Sequence, residues 1–367
     1  MAGNFVQLHN HTHYSLLDGA SKVPDLVKRV KELGMPAVGI TDHGNMHGAY
    51  ELWRAAVDSG VKPIIGIEAY VTPETARQDK TRVSWDTNWT PVPGHARNPD
   101  DVSGGGLITH LTMWAENDEG LVNLIKASSV ANLEGRVMRY PRMDKEVLST
   151  YSKGVIASSG CPSGIIQTRL RLGQFDEALR AAGEFQDIFG KDNFYIELMD
   201  HGLSIESKVT GDLLTIAKKL GAPLLATNDS HYVMEADKDA QDAMLCINSG
   251  ATLDDPNRFK FEGSGYYIKS AEEMRELFKD HPDACDNTLE IAERCNVIFD
   301  DHEDGAFMPQ FDCPEGWDET SLFLKKVEEG LEKRYDGNPP MEVLKQADYE
   351  CGVICQMQFC GYFLVVA

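Results

Sequence analysis

An α/β fold on a parallel sheet, closed into a barrel or nearly so, is what this 367-residue sequence predicts. Three observations predict it. Short apolar runs alternate with amphipathic stretches. The polar residues within those runs gather at their C-terminal ends. The alternation then stops near residue 285, and the remainder reads as helical.

The runs, in order, are FVQLH (5–9), AVGITDH (37–43), PIIGIEAYV (63–71), LITHLT (107–112), GVIASSGC (154–161), FYIELM (194–199) and PLLATND (223–229). After the first, Val23, Leu26, Val27, Val30 and Leu33 keep helical spacing until Gly34 and Pro36 end the segment. Ile205, Val209, Leu213, Ile216 and Leu220 do the same before Gly221 and Pro223. Residues 74–106 break the rhythm. They are polar, carry Trp85 and Trp89, end in SGGG, and read as a surface insertion. With no strand before it and no helix after it, the triple glycine is not a phosphate loop. The predicted domains are therefore 1–285 and 286–367. In the second, NTLEIAERC (287–295), SLFLKKVEEGL (321–331) and residues 341–357 read as helices. The final FCGYFLVVA (359–367) reads as an apolar strand without a stop signal, the cut end of something longer.

Composition narrows the function classes. No apolar run approaches the length of a membrane span, and the N-terminus lacks a basic region followed by an apolar one. Eight cysteines without framework spacing, among them the Cys351, Cys355 and Cys360 group, read as free thiols of a reduced, cytoplasmic protein. The net charge of −23 argues against a surface that grips nucleic acid unaided. Either the substrate is no polyanion, or another domain or bound cations supply the positive charge. A local basic run, Arg136, Arg139, Arg142 and Lys145, would help, though exposed charges usually just solvate.

Three of the eleven histidines crowd into LHNHTHYS (8–15). Alternation on a strand puts His9 and His11 on one face, and His13 with them if the strand continues. Asp42 and His43 end the second run, Glu68 lies in the third, His110 in the fourth, Cys161 ends the fifth, and Asp229 and His231 end the last. The rim where barrel strands end is where α/β barrels build active sites, and converging His, Asp, Glu and Cys there signal a metal cluster. Singly, each has an ordinary explanation. Asp18, Asp42 and Asp229 suit turns or caps, Cys161 suits a core, and Glu68 suits an ion pair. Together they would require nearly every strand to end in a metal-ligating residue type by chance.

These stretches resemble the PHP (polymerase and histidinol phosphatase) domain found at the N-terminus of bacterial replicative DNA polymerase III alpha subunits. The resemblance rests on LHNHTHYSLLDG (8–19), TDHGNM (41–46), PIIGIEAY (63–70), SGC (159–161), ELMDHG (197–202), TNDSHY (227–232), TLDDPNRF (252–259) and NTLEIAERC (287–295). It implies a distorted (β/α)7 barrel followed by a mostly helical segment leading towards the polymerase palm, which GYFLVV (361–366) resembles at its start. Polymerase carboxylates would then lie beyond Ala367. The resemblance also implies three divalent metals, zinc or manganese with iron as a further option. His9, His11, Glu68 and Asp229 would hold the first. Glu68, His110 and Cys161 would hold the second, and Asp18, His43 and His231 the third. Asp18, His43 and Glu68 would serve catalysis, Asp42 would support His43, and His13 and His201 are candidates to touch substrate. The implied activity is phosphoester hydrolysis, as a 3′→5′ proofreading exonuclease on the DNA 3′ end. The implied partners are the rest of the alpha subunit, the sliding clamp and a separate proofreading subunit, and no membrane. Three other readings stay open: a metal-braced structural domain, a small-molecule phosphatase of the histidinol-phosphate type, and an amidohydrolase.

Overall fold

The computed structural model describes residues 5–86, 98, 100, 104–300 and 310–367. One sheet runs through its first part. The strands are β1 (Ala37–Ile40), β2 (Lys62–Val71), β3 (Thr109–Ala115), β4 (Arg142–Met143), β5 (Val155–Ser158), β6 (Phe194–Leu198) and β7 (Leu224–Ala226). Their order is β1-β2-β3-β5-β6-β7, with β4 beside the end of β2. Residues 5–11 occupy the gap between the two outer strands. Gly39 N donates to Gln7 O, Thr41 N to Asn10 O, and His11 N to Ser230 O, at 2.8 to 2.9 Å. The expected first strand is thus present as isolated bridges to Val38 and Ser230, and it curls the sheet shut.

The sheet is not wholly parallel. β3 runs antiparallel to both β2 and β5. A parallel return needs a crossover helix, and the described residues between β2 and β3 contain none. The reversal places the beginning of β3 at the rim where the other strands end, with His110 opposite Tyr70 and Thr112 opposite Glu68.

Period-two alternation fills the interior in layers. Val6, Leu8, Ala37, Ile64, Trp114, Ile156, Tyr195 and Leu225 form an apolar lower layer, closed beneath by Ile291, Ala292 and Cys295 of the helix Pro282–Arg294. Two or four residues along the same strand faces stand Glu68, Thr112, His110, Ser158 and Glu197, and just past the end of β7 come Thr227 and Asp229, all polar. Outside, the helices Val23–Glu32, Ala49–Ser59, Asp118–Glu134, Phe175–Phe189 and Ser204–Leu220 bury one face each in a second core. Val23, Leu26, Val27 and Val30 bury as their spacing predicts.

The expected surface insertion at 74–106 lies partly outside the described residues, Trp89 included. What is described is anchored inward. Trp85 is buried beneath the Arg169 guanidinium, whose Cζ is 4.2 Å from the ring centroid. Arg142 is wholly buried and donates to four backbone carbonyls, those of Arg77, Asp79, Leu107 and Gly135. It therefore leaves the surface basic run, as does Lys145, which pairs with Glu184.

The chain divides into compact units after Phe299 rather than near 285, because the helix Pro282–Arg294 plugs the barrel. The second unit has helices Glu319–Arg334, Met341–Gln356 and Cys360–Val366. The last of these corrects the predicted strand. Cys360 and Leu364, one turn apart, bury against Leu322 and Phe323, so tertiary packing overrides the β-propensity of the Val-rich end. All eight cysteines are free. Among the described residues, no single helix is long and apolar enough to cross a membrane.

Candidate metal centre

The residues gathered at the rim come from six stretches of chain. His9 and His11 flank the bridge at Asn10. The chain bends at His9, which turns both imidazoles inward above Leu8. His9 Nε2 lies 3.3 Å from His11 Nε2, 3.3 Å from Asp229 Oδ1 and 3.4 Å from Glu68 Oε1, and His11 Nε2 lies 3.0 Å from Asp229 Oδ1. Around the other Glu68 oxygen stand His43 Nδ1 at 2.6 Å and His110 Nδ1 at 2.9 Å, with Cys161 Sγ 3.3 Å from His110 Nδ1. His43 Nε2 lies 2.9 Å from Asp18 Oδ2, and His231 Nε2 lies 3.9 Å from Asp18 Oδ1. All nine side chains assigned from the sequence converge. The grouping is tighter than the resemblance implies: His11 also faces His43 and His231, and His43 also joins Glu68 and His110.

This donor set fits divalent metals on its own terms. Asp18 Oδ1, both Glu68 oxygens, Asp229 Oδ1, His43 Nδ1 and His231 Nε2 are buried without a hydrogen-bond partner among the described residues. Buried polar atoms left so are rare and costly. Several approach one another closely but without hydrogen-bond alignment, as donors do around a shared cation. Hard carboxylates, imidazoles and one thiol suit zinc, manganese or iron.

Electrostatics point the same way. Burial opposes ionisation of Glu68, yet His110 and His43 hold its carboxyl well below the usual range. Asp18 falls to about 2 because His231 and His43 outweigh its burial. Burial pulls His9 down, but Asp229 and Glu197 hold it well above its ordinary value. Burial and the charges of His43 and His231 push His11 down to about 3. Burial and the Glu68 and Asp229 charges push the Cys161 thiol up; a bound cation would reverse that.

Supporting residues hold the rings in place. His9 Nδ1 donates to Glu197 Oε1 at 2.7 Å, and Glu197 also accepts from Ser158 and Thr227. His231 Nδ1 donates to Asp229 O at 2.8 Å, which leaves Nε2 for the site. Asp42 does not touch the His43 ring. It accepts from Thr12 and Ser15, and Ser15 Oγ contacts His11 Nδ1 and accepts from His43 N. Backbone strain marks the site. Asp229 and Leu17, next to Asp18, have φ of +44° and +60°. Gly44 is required at φ +64°, since a Cβ there would stand 2.6 Å from the Tyr70 ring.

Two sequence candidates lie elsewhere. His13 lies tilted against the Tyr14 ring and faces Ser21 O. His201 is stacked on Tyr266, with Nδ1 on Glu206 and Nε2 on Asn228 O, so neither ring nitrogen is free for substrate. Two residues were missed. Glu197 was legible only as the polar member of FYIELM in phase with Tyr195. Tyr70, whose ring centroid lies 6.0 Å from that of His43 and 5.4 Å from that of His110, looked like strand filler.

Comparison with known proteins adds the following. Residues 7–201 match the family described as PHP domain, and residues 321–367 match the one described as bacterial DNA polymerase III alpha NTPase domain. The DNA polymerase III subunit alpha of Mycobacterium leprae (strain TN) is 50% identical over 365 residues, 99% of this chain and 30% of that protein. That of Borreliella burgdorferi is 40% identical over 366 residues, again 99% and 30%. The chain thus spans about 30% of the length of these relatives. Among solved structures, a two-domain Bacteroides vulgatus protein containing a predicted PHP-like metal-dependent phosphoesterase aligns with 80% of this chain and 69% of its own, at 11% identity and a TM-score of 0.35.

Proposed function

This chain belongs to the PHP domain family, and from that premise we propose that it is a metal-dependent phosphodiesterase that trims the 3′ end of DNA. The observation that supports the reading is the set of buried ligand atoms on Asp18, His43, Glu68, Asp229 and His231 that crowd one another yet have no aligned hydrogen bond among the described residues. His9, His11, Asp229 and Glu68 would hold one ion, Glu68 with His110, Cys161 and His43 a second, and Asp18, His43 and His231 a third. Bound divalent ions supply hydroxide at neutral pH and offset charge developing on phosphate. The chain's own groups do the rest. Glu68, central and fully buried, spaces the ligand groups through its two oxygens. Asp18 and His43, partly exposed at 21% and 14% of their side chains, form the wall that a phosphate reaches first. Glu197 keeps the His9 proton on Nδ1, so Nε2 faces the site.

The DNA 3′ end is the favoured substrate because the relatives over nearly the whole chain are polymerase alpha subunits. The partners would be the rest of such a subunit, with the sliding clamp and a proofreading subunit beyond it, in the cytoplasm. A bracing role is the second reading, favoured by the complete burial of His9, His11 and Glu68. The deciding experiment incubates the chain, loaded with zinc or manganese, with a 5′-labelled primer carrying a 3′ mismatch. Stepwise shortening that Asp18→Asn abolishes is the expected result. Shortening that survives Asp18→Asn, or none by a fully metallated protein, sinks the exonuclease reading.

A further inference from the structure

The basic run from Arg136 to Lys145 lies outside the metal centre. Arg142 is buried and Lys145 is paired. Arg139 is neither. It is exposed, donates to the neutral Asn248 side chain at 2.5 Å, and has no carboxylate partner among the described residues. In a chain with 58 acidic and 35 basic residues, this exposed guanidinium makes no direct ion pair among the described residues, and the Asp18 carboxylate acts on it only from a distance.

Its placement is specific. Val137 and Tyr140 exchange backbone hydrogen bonds at 3.0 Å, which leaves Met138 and Arg139 at the tip of a two-residue turn. Met138 takes φ +55° and exposes 74% of its surface. A left-handed backbone is costly for a non-glycine residue, and here the strain presents an apolar side chain to water. Arg139 Cζ lies 5.3 Å from the Tyr140 ring, which meets the Tyr70 ring edge-on at 5.1 Å. Tyr70 in turn lies against His43 and His110. An unbroken aromatic path therefore joins the turn to the metal centre. A second link runs through Asn248, whose Nδ2 donates to Leu17 O at 3.2 Å, one residue from Asp18. Beside these anchors Leu16 and Ile247 are 78% and 68% exposed.

We propose that the Met138–Arg139 turn is the strand-binding lip of the site: it holds single-stranded DNA next to the scissile phosphate, with Arg139 on a backbone phosphate and Met138 under a base. The chemistry matches a nucleotide strand on both counts. A backbone phosphate is drawn to an exposed cation that has no direct ion pair, and a base covers an exposed apolar side chain. The inference rests on the phosphodiesterase reading for the identity of the strand.

The test measures binding and hydrolysis separately. Binding is read by fluorescence anisotropy, with the metal-loaded chain and a labelled oligothymidylate whose 3′ linkages are phosphorothioates. Arg139→Gln is expected to weaken binding about tenfold and to lower the salt slope by about one. Met138→Ala should weaken it severalfold at an unchanged slope. Lys153→Gln, which removes one exposed charge elsewhere, should change nothing. Hydrolysis of bis(p-nitrophenyl) phosphate, too short to reach the turn, should proceed unchanged in all three. Equal losses in Arg139→Gln and Lys153→Gln, or no DNA binding by the unaltered chain, overturn the lip. If the small diester is inert while Arg139→Gln still loses DNA, the phosphodiesterase reading falls and the lip stands. Thermal unfolding of each variant confirms that these exposed changes leave the fold intact.

Discussion

The lower and upper layers of the barrel interior share the same strand faces and do opposite things. Ile64 and Glu68, Trp114 and His110, and Tyr195 and Glu197 are pairs on one face of one strand, and Asp229 joins the upper residues from the turn after the strand that carries Leu225. Below, apolar side chains close on one another around Trp114, whose only polar atom donates to Leu8 O at 3.1 Å. Above, carboxylates and imidazoles press together with lone pairs to spare. The lower layer is complete in itself. The upper is complete only with cations in it. Stability and chemistry are thus stacked along one barrel axis, a few ångströms apart.

Three substitutions probe that division, in falling order of expected effect. Trp114→Ala removes the largest side chain of the lower layer and should cost about 3–5 kcal/mol in urea unfolding, with or without chelator. A much smaller loss would mean that the lower layer does not carry the fold. Glu197→Gln keeps the shape of the upper layer but loosens the His9 tautomer. Metal affinity, measured by competition with a chelator, should drop about 10- to 100-fold, while the chelated protein unfolds far closer to its parent than Trp114→Ala does. Unchanged metal retention would reduce Glu197 to packing. The third concerns Lys269, which donates to Asn228 Oδ1 beside the upper layer and whose pKa burial lowers to about 8. Below pH 8 both folded and unfolded states hold the proton, and the cost of burying it is constant. Between about 8 and the ordinary lysine value the folded state sheds the proton first, so stability rises with pH. Lys269→Met should flatten that rise, an effect of order 1 kcal/mol. Parallel pH profiles for the two proteins would remove Lys269 from the balance.

The difference between the layers also explains what could be read in advance. The gathering of these residues at one rim was legible because so many His, Asp and Glu fall at or near strand ends, where each alone has an ordinary use but all together do not. Glu197 shared the phase but sat among Phe, Tyr, Ile and Leu, where a carboxylate looks incidental. The direction of β3 was not legible, because it depends on the absence of a crossover helix rather than on anything in LITHLT. The last helix was misread for a related cause: Val365 and Val366 favour a strand locally, and only packing on Leu322 and Phe323 decides otherwise. Of the basic run, composition could not say that Arg142 is spent on backbone carbonyls while Arg139 stays free to act.

One consequence lies in the closing of the barrel by residues 5–11. These bridge to Ser230, so their contacts join the two ends of the first unit across more than half of the chain. Contacts between such distant residues form late, because a long loop must close before they are rewarded. His9 and His11 ride on that segment. Until it docks, Glu68, His110 and Asp229 face an open seam with two imidazoles missing. On a ribosome, the first segment to emerge therefore waits for residue 230 before its bridge can form, and the chamber lined by His9 and His11 waits with it.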